Sequence, residues 1–203
     1  MRHIIHSWEE VTLAQFIELQ TIGKECDGEE YARRVVELLY NVDPDEVPIV
    51  EYLSMVSGLR KLTSEKIKEK KLTSNATYTI NGVNYVMNIN PSSFSMAQYT
   101  DFTAFARQEG SVVDMLSAVL VPEGCSYNEG YDMAKAKADI GSLPVANAFG
   151  ISSFFAVWSK KSIKAILRSL TKQVKKGATT EQRRELQEQM EALSRALEHF
   201  LSF

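Results

Sequence analysis

A chain of 203 residues, 44% hydrophobic and 24% charged, is long enough for one substantial core or two small ones and has the composition of a globular protein, not of a disordered segment. Its 23 basic and 26 acidic side chains leave a formal charge of -3, which argues against general nucleic-acid binding, where an excess of Lys and Arg must neutralise phosphates. The opening MRHIIHSWEE holds no apolar run of signal-peptide length, so secretion is not expected, and Cys26 and Cys125, far apart and without ligand spacing, read as ordinary thiols.

The first element begins at Thr12, an N-cap whose capping box is completed by Gln15, with Leu13, Phe16, Ile17 and Leu19 as its apolar stripe. After Asp27-Gly28, residues 29–41 carry Val35, Leu38 and Leu39 at helical spacing. DPDEVP then stops this helix and opens another. That third helix is expected to run from Pro48 towards Lys71, with Ile49, Leu53, Val56, Leu59 and Leu62 facing the core.

The texture changes at TYTINGVNYVMNI, residues 77–89. Asn81-Gly82 between alternating residues marks a hairpin, because both turn residues of a type I′ turn need positive φ. Closing on it pairs Ile80 with Val83 and Tyr78 with Tyr85, and an isolated hairpin is marginal, so its apolar face should pack on a helix.

Beyond Asn90-Pro91 the first half returns. SFSMAQYTDF answers EEVTLAQFIEL, with Ser95 and Gln98 in place of Thr12 and Gln15; SVVDMLSAVLVPEG answers RVVELLYNVDPDE; and Leu143-Pro144-Val145 answers Val47-Pro48-Ile49. An insertion around Tyr127 to Ile140 lengthens the second copy. Three correspondences in one order point to internal duplication, although capping boxes and amphipathic helices also recur independently.

Residues 140–159, IGSLPVANAFGISSFFAVWS, contain no charge. The length could span a bilayer, but Pro144, Asn147, two glycines and four serines dilute its hydrophobicity, and the preferred reading is a central core helix whose Phe149, Phe154, Phe155 and Trp158 fill the space between the halves.

No Walker loop, dinucleotide fingerprint, metalloprotease helix, calcium loop or nucleophile elbow is present. No catalytic residue, cofactor, metal or small-molecule substrate is therefore expected. His3 and His6 lack further ligands nearby and read as part of a frayed terminus. The carboxylates Glu9-Glu10, Glu29-Glu30 and Asp43-Asp45-Glu46 read as complements to helix dipoles.

Two C-terminal stretches carry interaction signals. Residues 160–176 hold seven basic side chains, Lys160, Lys161, Lys164, Arg168, Lys172, Lys175 and Lys176, opposite an apolar face, a pattern suited to an anionic surface or simply to a solvated helix face. After Gly177, Leu186, Met190, Leu193, Leu197 and Phe200 recur at steps of four and three, a short heptad seam that can dock on the chain's own core or on another chain, a second copy included.

The order of these features resembles a family of Bacteroidetes bacteriophage proteins, encoded among tail genes and similar to tail assembly chaperones. The likeness is carried by SWEEVTLAQFIEL, YTINGVNYVMNI, FSMAQYTDF, VVDMLSAVLVPEG and LPVANAFGISSFFAVW. It implies a non-enzymatic partner of the tape-measure protein in the cytoplasm of an infected bacterium. A structural virion component (connector, ring or tail subunit) and a nucleic-acid-binding regulator acting through residues 160–176 are the other readings. The expected fold is mainly α: a bundle of two similar helical units with one central β-hairpin and a C-terminal amphipathic helix. In this division residues 1–176 form one globular domain, with repeats over about 7–71 and 91–176 and the hairpin over about 76–90, and residues 177–203 form the docking helix.

Overall fold

The computed structural model describes residues 2–68, 76–87, 94–105 and 112–154. Seven stretches of α-helix and a small sheet follow one another: α1 (Leu13–Glu25), α2 (Gly28–Tyr40), a short 3-10 turn (Pro44–Glu46), α3 (Ile49–Ser64), β1 (Thr77–Ile80), β2 (Val83–Met87), α4 (Met96–Phe105), α5 (Val112–Val119), β3 (Leu120–Pro122), α6 (Met133–Gly141) and α7, helical over residues 145–154. The protein is mainly helical, with a three-stranded antiparallel sheet in the order β1-β2-β3.

Local chemistry sets several of these boundaries. Thr12 caps α1 through both halves of the capping box: Gln15 N–H donates to Thr12 Oγ1 (3.2 Å) and Thr12 N–H to Gln15 Oε1 (3.0 Å). Asn41, with φ of 51°, ends α2 in the left-handed conformation that asparagine tolerates. The hairpin closes as the turn chemistry requires: Asn81 and Gly82 have φ of 50° and 78°, and Ile80 faces Val83 while Tyr78 faces Tyr85.

The third strand is not anticipated from the sequence and has no counterpart in RVVELLYNVDPDE. The helix in SVVDMLSAVLVPEG ends at Val119, and Leu120–Pro122 pair with Tyr85–Met87. β2 would otherwise present open backbone groups on that side, and a strand next to a buried edge satisfies them.

Two hydrophobic clusters form the interior, and the halves are laced through each other. One is built mainly from β1, β2, α4, α5 and α6, yet it takes in Leu13 and Ile17 from α1. The other is built from α1, α2 and α3, yet it takes in Val145 and Phe149 from α7. Thus α7 lies between the clusters, with Ala148, Ile151 and Phe154 on the opposite one. The uncharged stretch starting at Ile140 is not one continuous helix: α6 ends at Gly141, Leu143 and Pro144 pair with the residues before α1, and α7 begins at 145. Among the described residues no helix is long and apolar enough to cross a membrane. Phe155 and Trp158 lie outside the described residues, as does the boundary at 176/177.

Three further expectations are corrected here. The third helix does not run on towards Lys71: α3 ends at Ser64, and residues 65–68 are not helical. The N-terminal segment is docked, not frayed: Ile5 is buried, its N–H donates to Tyr40 Oη (3.3 Å), Arg2 N–H donates to Glu51 (3.0 Å) and Trp8 Nε1–H to the Glu65 carbonyl (3.0 Å). This segment crosses α3 at Gly58, where a Cβ would stand 2.7 Å from Ile4 Cγ2 and 3.3 Å from the Ile5 carbonyl. As a result the buried side of α3 is Met55, Gly58, Leu59 and Leu62, while Ile49 and Leu53 face solvent. The helix is turned about a quarter of the way round from the expected orientation.

Candidate functional site

Among the described residues, the exposed large apolar side chains are Ile49 (67%), Val50 (73%) and Leu53 (57%) on α3 and Met96 (80%) and Tyr99 (50%) on α4. Each set lies on the first turns of its helix. The α3 face is rimmed by exposed Asp45 and Glu46, whereas the first turn of α4 contains no acidic residue. Neighbouring apolar side chains exposed on a helix face are the kind of surface on which another helix can dock.

The polar chemistry elsewhere is committed to holding the fold. Asp139 of α6 is buried and accepts from Lys135 Nζ (2.6 Å), Tyr85 Oη–H (2.7 Å) and Asn81 Nδ2–H (2.9 Å). The bond from Lys135, followed by those from Asn81 and Tyr85, holds its pKa down at about 2, while burial followed by the Asp139 bond raises that of Tyr85. The group thus clamps the hairpin turn to α6. Tyr85 and Asp139 are its buried members, while Asn81 and Lys135 lie at the surface.

The inserted segment is pinned in a similar way. Tyr127 donates to Asp101 Oδ2 (2.8 Å), Tyr131 donates to the Ser117 carbonyl, and their rings stack at 5.0 Å. Lys137 pairs with Asp114 (2.7 Å) and lies over the Phe105 ring, joining α6 to α4 and α5.

An open groove of about 460 Å³ runs beside α2 and the 3-10 turn, lined by Glu30, Arg33, Arg34, Glu37, Asn41, Val42, Asp43 and Pro44. Its arginines are already engaged, Arg33 with Asp45 (2.6 Å) and Arg34 with Glu25 (2.8 Å). Of the carboxylates expected at helix starts, Glu29 and Glu30 do occupy the first turn of α2, and Asp43 accepts from Asp45 N–H at the 3-10 turn. Glu10 instead ties the docked terminus, accepting from the N–H groups of His6 (2.9 Å) and Ser7 (3.0 Å) and bonding His3; the His3 bond first, then His6, lowers its pKa. Among the described residues no cluster of three or more His, Cys, Asp or Glu could hold a metal, and both cysteines are free.

The residues singled out for binding in the sequence, Lys160, Lys161, Lys164, Arg168, Lys172, Lys175 and Lys176 and the seam Leu186, Met190, Leu193, Leu197 and Phe200, lie outside the described residues. The exposed faces of α3 and α4 were not singled out. Their signal was an apolar side chain in excess of what one core-facing stripe needs: Val50 beside Ile49, and Met96 on a helix whose buried side is carried by Gln98 and Phe102. Comparison with known proteins finds no matching family model, no matching curated protein and no matching solved structure.

Proposed function

We propose that the chain is a non-enzymatic bacteriophage protein, a tail assembly chaperone that holds hydrophobic helices of the tape-measure protein until the tail tube polymerises around them. The observation supporting this reading is the exposed apolar surface at the starts of α3 and α4. A protein that holds another chain's helices and later gives them up needs apolar helical surface of limited extent, since a large buried interface would be slow to release. The C-terminal seam from Leu186 to Phe200 adds a second apolar helical stripe in sequence and is assigned to the client.

Mass spectrometry of purified particles beside infected-cell lysate tests the reading. The protein is expected in lysate, associated with a long helical phage protein, and absent from mature particles; stoichiometric presence in particles would instead make it a structural subunit. Replacing Leu193 and Leu197 with Asp should weaken the association, because a carboxylate buried without a partner loses its hydration. Titration with DNA should show little binding at physiological salt. Tight binding with a steep salt slope, lost on replacing Lys164, Arg168 and Lys172, would favour a regulator.

A further inference from the structure

We infer that the two exposed apolar faces cover each other between copies of this chain, in a contact that repeats one already made inside it. The internal contact joins the residues before α1 to those before α7. Thr12 and Pro144 form an antiparallel bridge, with Leu13 N–H donating to the Leu143 carbonyl (2.8 Å) and Val145 N–H to the Val11 carbonyl (2.9 Å). It buries Leu13 and Val145 and sets the Phe16 ring edge-on to Phe149 at 5.3 Å.

Each side of this contact has a counterpart in the other half of the sequence. Thr12, Leu13 and Phe16 are answered by Ser95, Met96 and Tyr99; Pro144, Val145, Ala146 and Phe149 are answered by Pro48, Ile49, Val50 and Leu53. The structure strengthens the first correspondence. Gln15 and Gln98 both receive a backbone N–H bond arrangement of the same kind, each N–H donating to the hydroxyl three residues earlier, and each side chain reaches the last turn of the following helix: Gln15 Nε2 donates to the Leu38 carbonyl (3.3 Å) and Gln98 Nε2 to the Ala118 carbonyl (2.7 Å).

The counterparts, however, do not meet. Among the described residues no bridge joins 47–49 to 94–96, and all five large apolar side chains exposed to solvent belong to these two counterpart sides. One copy therefore carries both members of an unmade contact. A second copy supplies the complement: Met96 N–H of one would donate to the Val47 carbonyl of the next, Ile49 N–H would donate back to Phe94, and Tyr99 would lie against Leu53.

Charge favours the same occupant. In the internal contact Gly141, three residues before Pro144, approaches Ala14, with 3.5 Å between its Cβ position and that of Ala14. Asp45 stands three residues before Pro48, so in the contact between copies it would approach Ala97 in the first turn of α4. That turn has no acid of its own; its Gln98 N–H is taken by Ser95 Oγ, and the positive end of the helix favours the Asp45 carboxylate, which stays mostly exposed beside its partner Arg33. Because the two faces differ, the contact is heterologous and builds a reciprocal pair or a ring where its rotation closes and an open filament where it does not. The same two faces are the ones assigned above to the client, so association between copies and binding of a client would exclude each other; self-association of the purified protein is tested without any client.

Light scattering coupled to size exclusion, with the full chain at rising concentration, tests it. The wild-type protein is expected to self-associate, and Leu53→Asp and Met96→Asp each to weaken that association about tenfold or more. Both side chains are more than half exposed, so the variants should keep the wild-type urea transition. Mixing the two variants is the decisive step, since each retains the face the other has lost: a 1:1 heterodimer should form from two weakly associating proteins. A wild-type protein that stays monomeric up to its solubility limit would overturn the inference. So would variants that associate like wild type, or a mixture that gives no heterodimer.

Discussion

The starts of α1 and α4 carry nearly the same side chains in the same order, and they are treated oppositely. Leu13 is 1% exposed and Met96 is 80% exposed, although both directly follow a hydroxyl that accepts from the N–H of a glutamine three residues on. The difference is tertiary. The residues before α1 are bridged by Leu143–Val145, whereas no described segment forms such a backbone bridge with those before α4. Local sequence thus decides where a helix starts, and the arrival of a second segment decides whether its first apolar residue is core or surface.

The largest effect that would break this comparison comes from truncating the paired residues. Leu13→Ala should cost about 2–5 kcal/mol by urea denaturation, because it removes a fully buried side chain from a packed cluster. Met96→Ala should stay within about 0.5 kcal/mol under conditions where the protein is monomeric. Equal losses at the two positions would mean that Met96 is covered, and the contrast between the halves would disappear.

Each half is also tied down by a different device, and each device can be tested. In the first half, Gly58→Ala should destabilise by about 1–3 kcal/mol, since the new methyl group meets Ile4 Cγ2 and the backbone carbonyl of Ile5. Limited proteolysis should then cut the N-terminal segment faster, and Ile4→Ala in the same chain should recover part of the loss. An unchanged digestion rate would show that the segment does not lie over α3.

In the second half, Asp139→Asn should cost about 1–3 kcal/mol near neutral pH, as it removes the ion pair with Lys135 and unbalances the bonds from Asn81 and Tyr85. The pH dependence has a definite sign. The folded carboxyl titrates at about 2, below the ordinary unfolded value of about 3.9. Its stabilisation is therefore present above the unfolded pKa and is lost as pH falls through the folded one. The gap between wild type and Asp139→Asn should be constant above about pH 5 and narrow towards pH 2; a gap that widens on acidification would place the proton elsewhere.

The two glutamines offer a finer comparison. Gln98 is buried and bonds the Ala118 carbonyl at 2.7 Å, while Gln15 is partly exposed and bonds Leu38 at 3.3 Å. Gln98→Ala leaves a buried carbonyl unmet and should cost about 1–3 kcal/mol, against about 1 kcal/mol for Gln15→Ala, whose partner can turn to water. Thermal denaturation of both variants would reverse the argument if Gln15→Ala proved the costlier change.

What the sequence made legible were the features decided within a few residues. The capping pair Thr12 and Gln15, the proline before α3 and the Asn81-Gly82 hairpin with its register all follow from short-range geometry. The mainly helical class follows from periodicity. What it did not make legible depends on segments distant in sequence. The turned face of α3 requires residues 2–8 to cross it, the strand at Leu120–Pro122 requires the open edge of β2, and Asp139 acquires its role only when α6 reaches the hairpin turn 58 residues away from it. The exposed faces of α3 and α4 escaped for the same reason: periodicity counts apolar residues but does not say which of them a neighbour will cover.

The smallest expected effect sharpens the opening contrast most directly, because it separates the cap from its surroundings. Thr12→Ala and Ser95→Ala each remove a hydroxyl that accepts from a helix N–H, at 3.2 and 3.1 Å respectively, and on capping alone each should cost about 1 kcal/mol. Thr12 also lies in the bridge to Pro144, but that bridge uses backbone groups, which alanine keeps. Ser95 Oγ makes a further bond to Asn128 Oδ1 (3.1 Å), which alanine loses, yet this bond is exposed and water can replace it. The two losses should therefore agree within about 0.5 kcal/mol even though the residues that follow, Leu13 and Met96, differ so widely in burial. Agreement would show that helix initiation is written independently in each half and that coverage is added afterwards. A loss at Thr12 more than about 1 kcal/mol larger would mean that the cap and the pairing with Leu143–Val145 form one cooperative unit.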